Sequence, residues 1–167
     1  PSWLKPSLPD SAIGYIADGE REGKYYLGFN WAAFTGDLER LGGFDPRFGP
    51  GSTTGATGQE SDMQKRMLDV GFKPVDVPEA IVTHHVPRER CTLPWAIRRR
   101  YKAGIGGYHR NGGGIARLRD ALRIWIEGSL LIAKSALTGN RASVAFGMAR
   151  LGAAAGIVRG FLQGYQP

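Results

Sequence analysis

Cysteine is almost missing from this chain: Cys91 is the only one in 167 residues. No internal disulfide can form, and the composition fits a reducing compartment. Cys91 lies among arginines with no catalytic partner beside it in sequence, so it reads as a bystander thiol. Long apolar runs are missing too. Arg123, Glu127, Lys134, Arg150 and Arg159 interrupt the two most apolar stretches before either reaches 18 residues, so no membrane span is expected. The chain opens Pro-Ser-Trp, without a charged segment followed by an apolar one, so no signal peptide is expected. This start fits the downstream part of a longer protein. Acids are scarce in the second half. Residues 86–167 hold 14 Lys and Arg against 3 Asp and Glu, whereas residues 1–85 hold 8 against 12. That asymmetry within a net charge of +7 points the second half towards something anionic, or else marks a solvated basic face.

What is present reads as short elements punctuated by glycine and proline. Residues 1–24 are expected to be a loop with Trp3, Leu4 and Ile13 as isolated apolar anchors. Residues 25–34, YYLGFNWAAF, are aromatic and β-prone. Gly28 within them marks either a bulge or a close approach of backbone or ligand. Residues 35–41 predict a short helix capped by Thr35 and stopped by Gly42 and Gly43. Residues 45–58, DPRFGPGSTTGATG, predict a flexible loop, either a lid beside Glu60 or a bare linker.

The stretch from Gly58 to His85 carries the most chemistry. Gln59, Glu60 and Asp62 cluster at the start of a helix expected to run to about Val70, with Met63, Met67 and Val70 on one face. Acids there are stabilised by the helix dipole whether or not they do chemistry. Residues 72–77 and 80–83 predict two short strands, the second ending at His84 and His85. From Val86 to Arg123, ten basic residues and two acids interleave with Trp95, Tyr101 and Tyr108, and glycines are expected to break the segment into short pieces. Residues 117–138 and 142–164 predict two helices, the second with Gly152, Gly156, Gly160 and Gly164 at four-residue intervals, a ridge that admits another helix closely. This hairpin suits a membrane surface or a neighbouring domain equally.

Four ordered pieces, GFNWAAF, LGGFDPRFG, GQESDMQKRMLDVGFKPVDVPEAIVTHHV and WAIRRRYKAG, resemble glycosyltransferase family 2. The resemblance covers roughly residues 25–105, the second half of that family's catalytic domain. It implies an α/β, GT-A-like fold over residues 25–110, followed by C-terminal amphipathic helices at 115–167. It also implies inverting transfer of a sugar from a nucleotide-diphospho-sugar to an acceptor hydroxyl of a glycan or lipid-linked substrate. With the membrane-leaning C-terminal helices, cell-envelope or exopolysaccharide synthesis at the inner face of the plasma membrane is expected, with peripheral membrane contact and no nucleic acid. Glu60 stands at the family's general base, one methylene longer than the usual Asp, and Gln59 replaces the preceding acid. Asn30, Trp31, Gln59, Asp62 and Trp95 are implied on the acceptor side. Arg98, Arg99 and Arg100 are implied at the leaving diphosphate, and His84 at a divalent Mg or Mn ion. Two departures stand out. The Gln-x-x-Arg-Trp motif of polymerising synthases is replaced by Ile97-Arg98-Arg99-Arg100-Tyr101, which favours single addition. The family's Asp-x-Asp metal motif is missing, so this stretch alone is expected to be inactive. A non-catalytic basic module on a membrane surface or other polyanion, or a degenerate relative, are the alternatives.

Overall fold

The structure is a computed structural model and describes residues 1–8, 26 and 28–164. It is helical. We number the helices α1 (Thr35–Arg40), α2 (Gln59–Asp69), α3 (Leu93–Arg110), α4 (Ala116–Leu137) and α5 (Arg141–Gln163); Ser2–Ser7 and Arg88–Arg90 form 3-10 turns. Among the described residues there is no β-strand; pairing is limited to one isolated bridge between Phe48 and Ala56. The α/β, GT-A-like expectation is therefore corrected. The alternating residues of 72–83 join no strand ladder, and Val75, Val77 and Ile81 are exposed. Alternation alone makes no strand, because a ladder needs a second strand in register. The third expected strand, at 25–34, falls partly outside the described residues, at Tyr25 and Leu27. Most of the loop expected at 1–24, Ile13 included, also lies outside them.

α5 is the centre of the fold, with α3 on one side, α4 on another and the N-terminal turn against it. Its glycine ridge explains the closeness. A Cβ on Gly156 would strike the Tyr101 carbonyl oxygen, one on Gly152 the Ile97 backbone, and one on Gly160 the Tyr108 side chain. α3 reciprocates with Gly104, whose Cβ would collide with the Ala153 carbonyl. The ridge thus serves a helix of the same chain. α3 itself is one 18-residue helix, capped by the Thr92 hydroxyl, which accepts from the Trp95 N–H at 3.4 Å. The expected fragmentation by Gly104, Gly106 and Gly107 does not occur, since backbone-to-backbone packing outweighs the roughly 1 kcal/mol that an interior glycine costs.

The core sets alanines against larger side chains: Leu4, Leu8, Ala96 and Ala145 at one end, and Tyr108, Ala121, Ala154 and Ile157 at the other. A third cluster, Phe48, Ala56 and Ile105, fastens the 45–58 loop onto α3.

Candidate active site

The segment leading into α2 is folded rather than free. The Arg47 guanidinium grips the Asp45 carboxylate, Nε lying 3.0 and 2.9 Å from its two oxygens. That clamp holds the Asp45 carboxyl below the usual carboxylate range. The Thr54 hydroxyl accepts from the Ala56 N–H at 3.1 Å and donates to the Arg47 carbonyl. The Gly49 N–H donates to the Ala56 carbonyl at 3.1 Å, and Gln163 of α5 donates to the Thr54 carbonyl at 3.2 Å. Gly58 then takes φ 108°, a left-handed conformation that glycine adopts without strain, and starts α2.

This entry puts Gln59 and Glu60 in the first turn of α2, both half-buried. Two elements, the segment at Gly28 and α3, close around this turn. Gly28 comes so near that a Cβ there would stand 2.7 Å from the Glu60 carboxyl carbon, so the absent side chain is a steric requirement of the Glu60 rotamer. Arg99 of α3 donates to the Thr57 hydroxyl, and the Glu60 charge acts on it from nearby. Partial burial draws the Arg99 pKa below its ordinary range and Glu60 opposes that shift, but a guanidinium stays charged at any pH the protein meets. Arg110 approaches Gly58 closely enough that its Nη1 would lie 2.8 Å from a Cβ there. Positions 99, 106 and 110 share one face of α3 at 3.6 residues per turn, and Gly106 between the two arginines lets the Thr57 backbone close in. The Gln59 amide donates to Glu60 Oε1 at 3.3 Å.

The other sequence-derived residues divide. Asn30 donates to the Ala80 carbonyl at 3.1 Å, Phe29 stacks on His84 with ring centroids 4.0 Å apart, and Trp31 meets Phe44 edge to face. The first two contacts tie 29–30 to 80–84, segments on either side of Glu60 along the chain, and the third ties Trp31 to the turn after α1. Asp62 is buried and paired with Arg66 at 2.9 Å, and Arg66 also donates to the Leu41 and Gly43 carbonyls. Its contacts are those of an anchor for α1. The arginine run does not act together: Arg98 is exposed, Arg99 reaches Thr57, and Arg100 lines a groove among α3, α4 and α5. Trp95 packs on the Leu4 cluster. His84 is half-buried and His85 exposed. No three His, Cys, Asp or Glu side chains converge among the described residues, so these side chains do not assemble a divalent-metal donor set by themselves.

Sequence reasoning missed Gln64, Thr57 and Arg110. Gln64 is buried and clips Tyr26 at both backbone groups, accepting its N–H at 2.6 Å and donating to its carbonyl at 3.1 Å. That clip holds the 26–30 segment on the helix bearing Glu60. Arg110 was legible through its eleven-residue spacing from Arg99. Gln64 carried no signal, because its partner is backbone.

No family model, curated protein or solved structure matches the chain.

Proposed function

We propose that the chain is the acceptor-side portion of an inverting glycosyltransferase that moves a sugar from a nucleotide-diphospho-sugar to an acceptor hydroxyl. The reading is carried by one observation: the half-buried Glu60 carboxylate lies at a helix start, against the Gly28 backbone and close to the cation of Arg99. The four motif-like segments support the reaction class, while the helical architecture contributes nothing to it.

In the proposed reaction Glu60 accepts the proton of the acceptor hydroxyl. The freed oxygen attacks the anomeric carbon as the bond to the diphosphate breaks, and the nucleoside diphosphate leaves with the electron pair. Arg99, on which the Glu60 charge acts, balances the charge that develops on the leaving oxygen. A divalent ion, where one binds, supplies further charge neutralisation at the diphosphate. No Asp-x-Asp occurs in the 167 residues, so the proposal assigns no donor-side metal motif to this stretch.

The test is Glu60→Gln in the longest form of the protein that transfers labelled sugar to an envelope glycan fraction. The substitution preserves shape and the Gly28 contact. Loss of a general base lowers turnover by roughly 100- to 10,000-fold with little change in donor binding. Transfer at near wild-type rate removes Glu60 from the mechanism.

A further inference from the structure

α4 is apolar on two opposite faces. Ala121, Gly128 and Ser135 are buried, one every seven residues, and the middle of α4 interlocks with α5 where Gly128 meets Gly147 and Leu151. A helix on a protein surface normally turns a polar face outward. Here the outward face carries Leu122, Ile126 and Leu130, with exposures of 57%, 44% and 65%, and Trp125 beside them is 54% exposed. α5 repeats the pattern: Met148, Val158 and Leu162 are exposed, and helical spacing gathers them on one face with Ala155.

Charge is sorted around these faces. Arg117, Asp120, Arg123, Glu127 and Arg150 line a groove of about 540 Å³ that α4 and α5 form with α3. Both acids of the hairpin are ion-paired there, Asp120 with Arg117 and Glu127 with Arg123 and Arg150. Arg119, Lys134, Arg141 and Arg159 border the apolar faces instead, and among the described residues they make no ion pair. Each helix of the hairpin thus shows an exposed apolar face with unpaired cations on or beside it. A second copy docked on it by two-fold symmetry would set each basic rim against another, and like charges disfavour that. An anionic bilayer satisfies both features.

α5 is long and apolar enough to cross a membrane. Its glycine face, however, is occupied by α3, and crossing would carry Arg98, Arg99, Arg100 and Lys102 into hydrocarbon at roughly 2.5–3.5 kcal/mol per charge. That cost disfavours a crossing and favours a placement in the interface plane. We propose that the α4–α5 hairpin docks on an anionic lipid surface. Leu122, Trp125, Ile126 and Leu130 enter the headgroup boundary, and Arg119 and Lys134 at the two ends of that row reach lipid phosphates. This inference does not depend on the transfer reaction.

The experiment is co-sedimentation of the 167-residue chain with vesicles of phosphatidylcholine, with and without phosphatidylglycerol. The chain should bind the mixed vesicles and lose most of that binding in high salt or on phosphatidylcholine alone. Ile126→Ser with Leu130→Ser should weaken partitioning roughly tenfold or more, with far-UV helicity unchanged. Arg119→Gln with Lys134→Gln should weaken it roughly fivefold per charge removed, on anionic vesicles only. Failure to bind mixed vesicles, equal binding to both vesicle types, or insensitivity to the serine pair overturns the proposal. So does a wild-type dimer in size exclusion that the serine pair makes monomeric.

Discussion

His109 is the buried side chain whose protonation the fold opposes. Its ring meets Tyr108 edge-on, faces Arg47 and Asp45 of the 45–58 loop, and lies beside Gln163 of α5. Neither ring nitrogen finds a partner in hydrogen-bonding geometry among the described residues. Burial lowers its pKa below the ordinary 6.5 and Arg47 pushes the same way, against weaker opposition from Gln163 and Asp45. As pH falls through about 6.5 the unfolded chain takes up a proton that the folded chain still refuses, so stability is complete above that value and drains away below it, down to the folded pKa. Asp45 has a depressed pKa, and its contribution is lost only at much lower pH, below this window. Urea midpoints measured between about pH 7.5 and 5.5 should therefore drop on the acid side, and His109→Gln should flatten the drop. An unchanged slope in the variant would assign the effect to other groups. The same scale explains what could be read of the site. Glu60 stood out by type and position, whereas Asp62 had equal chemical credentials and only its pairing with Arg66 distinguishes it as an anchor.

Glycine behaves in opposite ways at two places in the helices. Gly156 on α5 faces the Tyr101 carbonyl and the Gly104 Cα, and a methyl group there has nowhere to go without separating α5 from α3. Gly107, inside α3, has no atom within 4 Å of where its Cβ would be. Gly156→Ala should destabilise by about 1–3 kcal/mol through overpacking, despite alanine's better helix propensity. Gly107→Ala should stabilise by about 0.5–1 kcal/mol for propensity alone. Chemical denaturation of the two variants reads both signs, and a stabilised Gly156→Ala would mean that the two helices do not touch as described. This contrast also shows why α3 was illegible. Propensity counts each glycine as a break, and nothing in the local sequence tells that Gly104 abuts Ala153, far along the chain. The other helices were legible to within a residue or two, because apolar spacing and glycine stops are local, although Thr35 is the first residue of α1 and Phe34, not Thr35, holds the cap position. Thr35 to Arg40, Gln59 to Asp69 and the two long C-terminal helices all form where their patterns begin and end.

At the scale of the whole molecule, sequence patterns misplace the loose segment. Glycine and proline make 45–58 look mobile, and alternation makes 72–83 look like strands. Long-range contacts reverse both. Phe48 and Ala56 are 4% and 1% exposed against Ile105, the Thr54 hydroxyl bridges the loop, and Gln163 holds it from the far end of the chain. Residues 73–83 are exposed throughout, and the hydrogen bonds that restrain them, Val77–Ala80, Glu79–Ile81 and Asn30–Ala80 among them, are themselves open to solvent. Proteases cut where backbone is accessible and locally unfolds at little free-energy cost. Thermolysin, which cleaves before aliphatic residues, should therefore cut first at Val75, Val77, Ile81 or Val82, leaving α3–α5 intact in one product and α1 and α2 in the other. The nicked halves should still co-elute in size exclusion, because Phe48 and Ala56 remain seated on Ile105 and Arg99 still holds Thr57. First cuts inside 45–58, or halves that separate on nicking, would return that loop to the role of a lid and leave Glu60 without the scaffold that orients it.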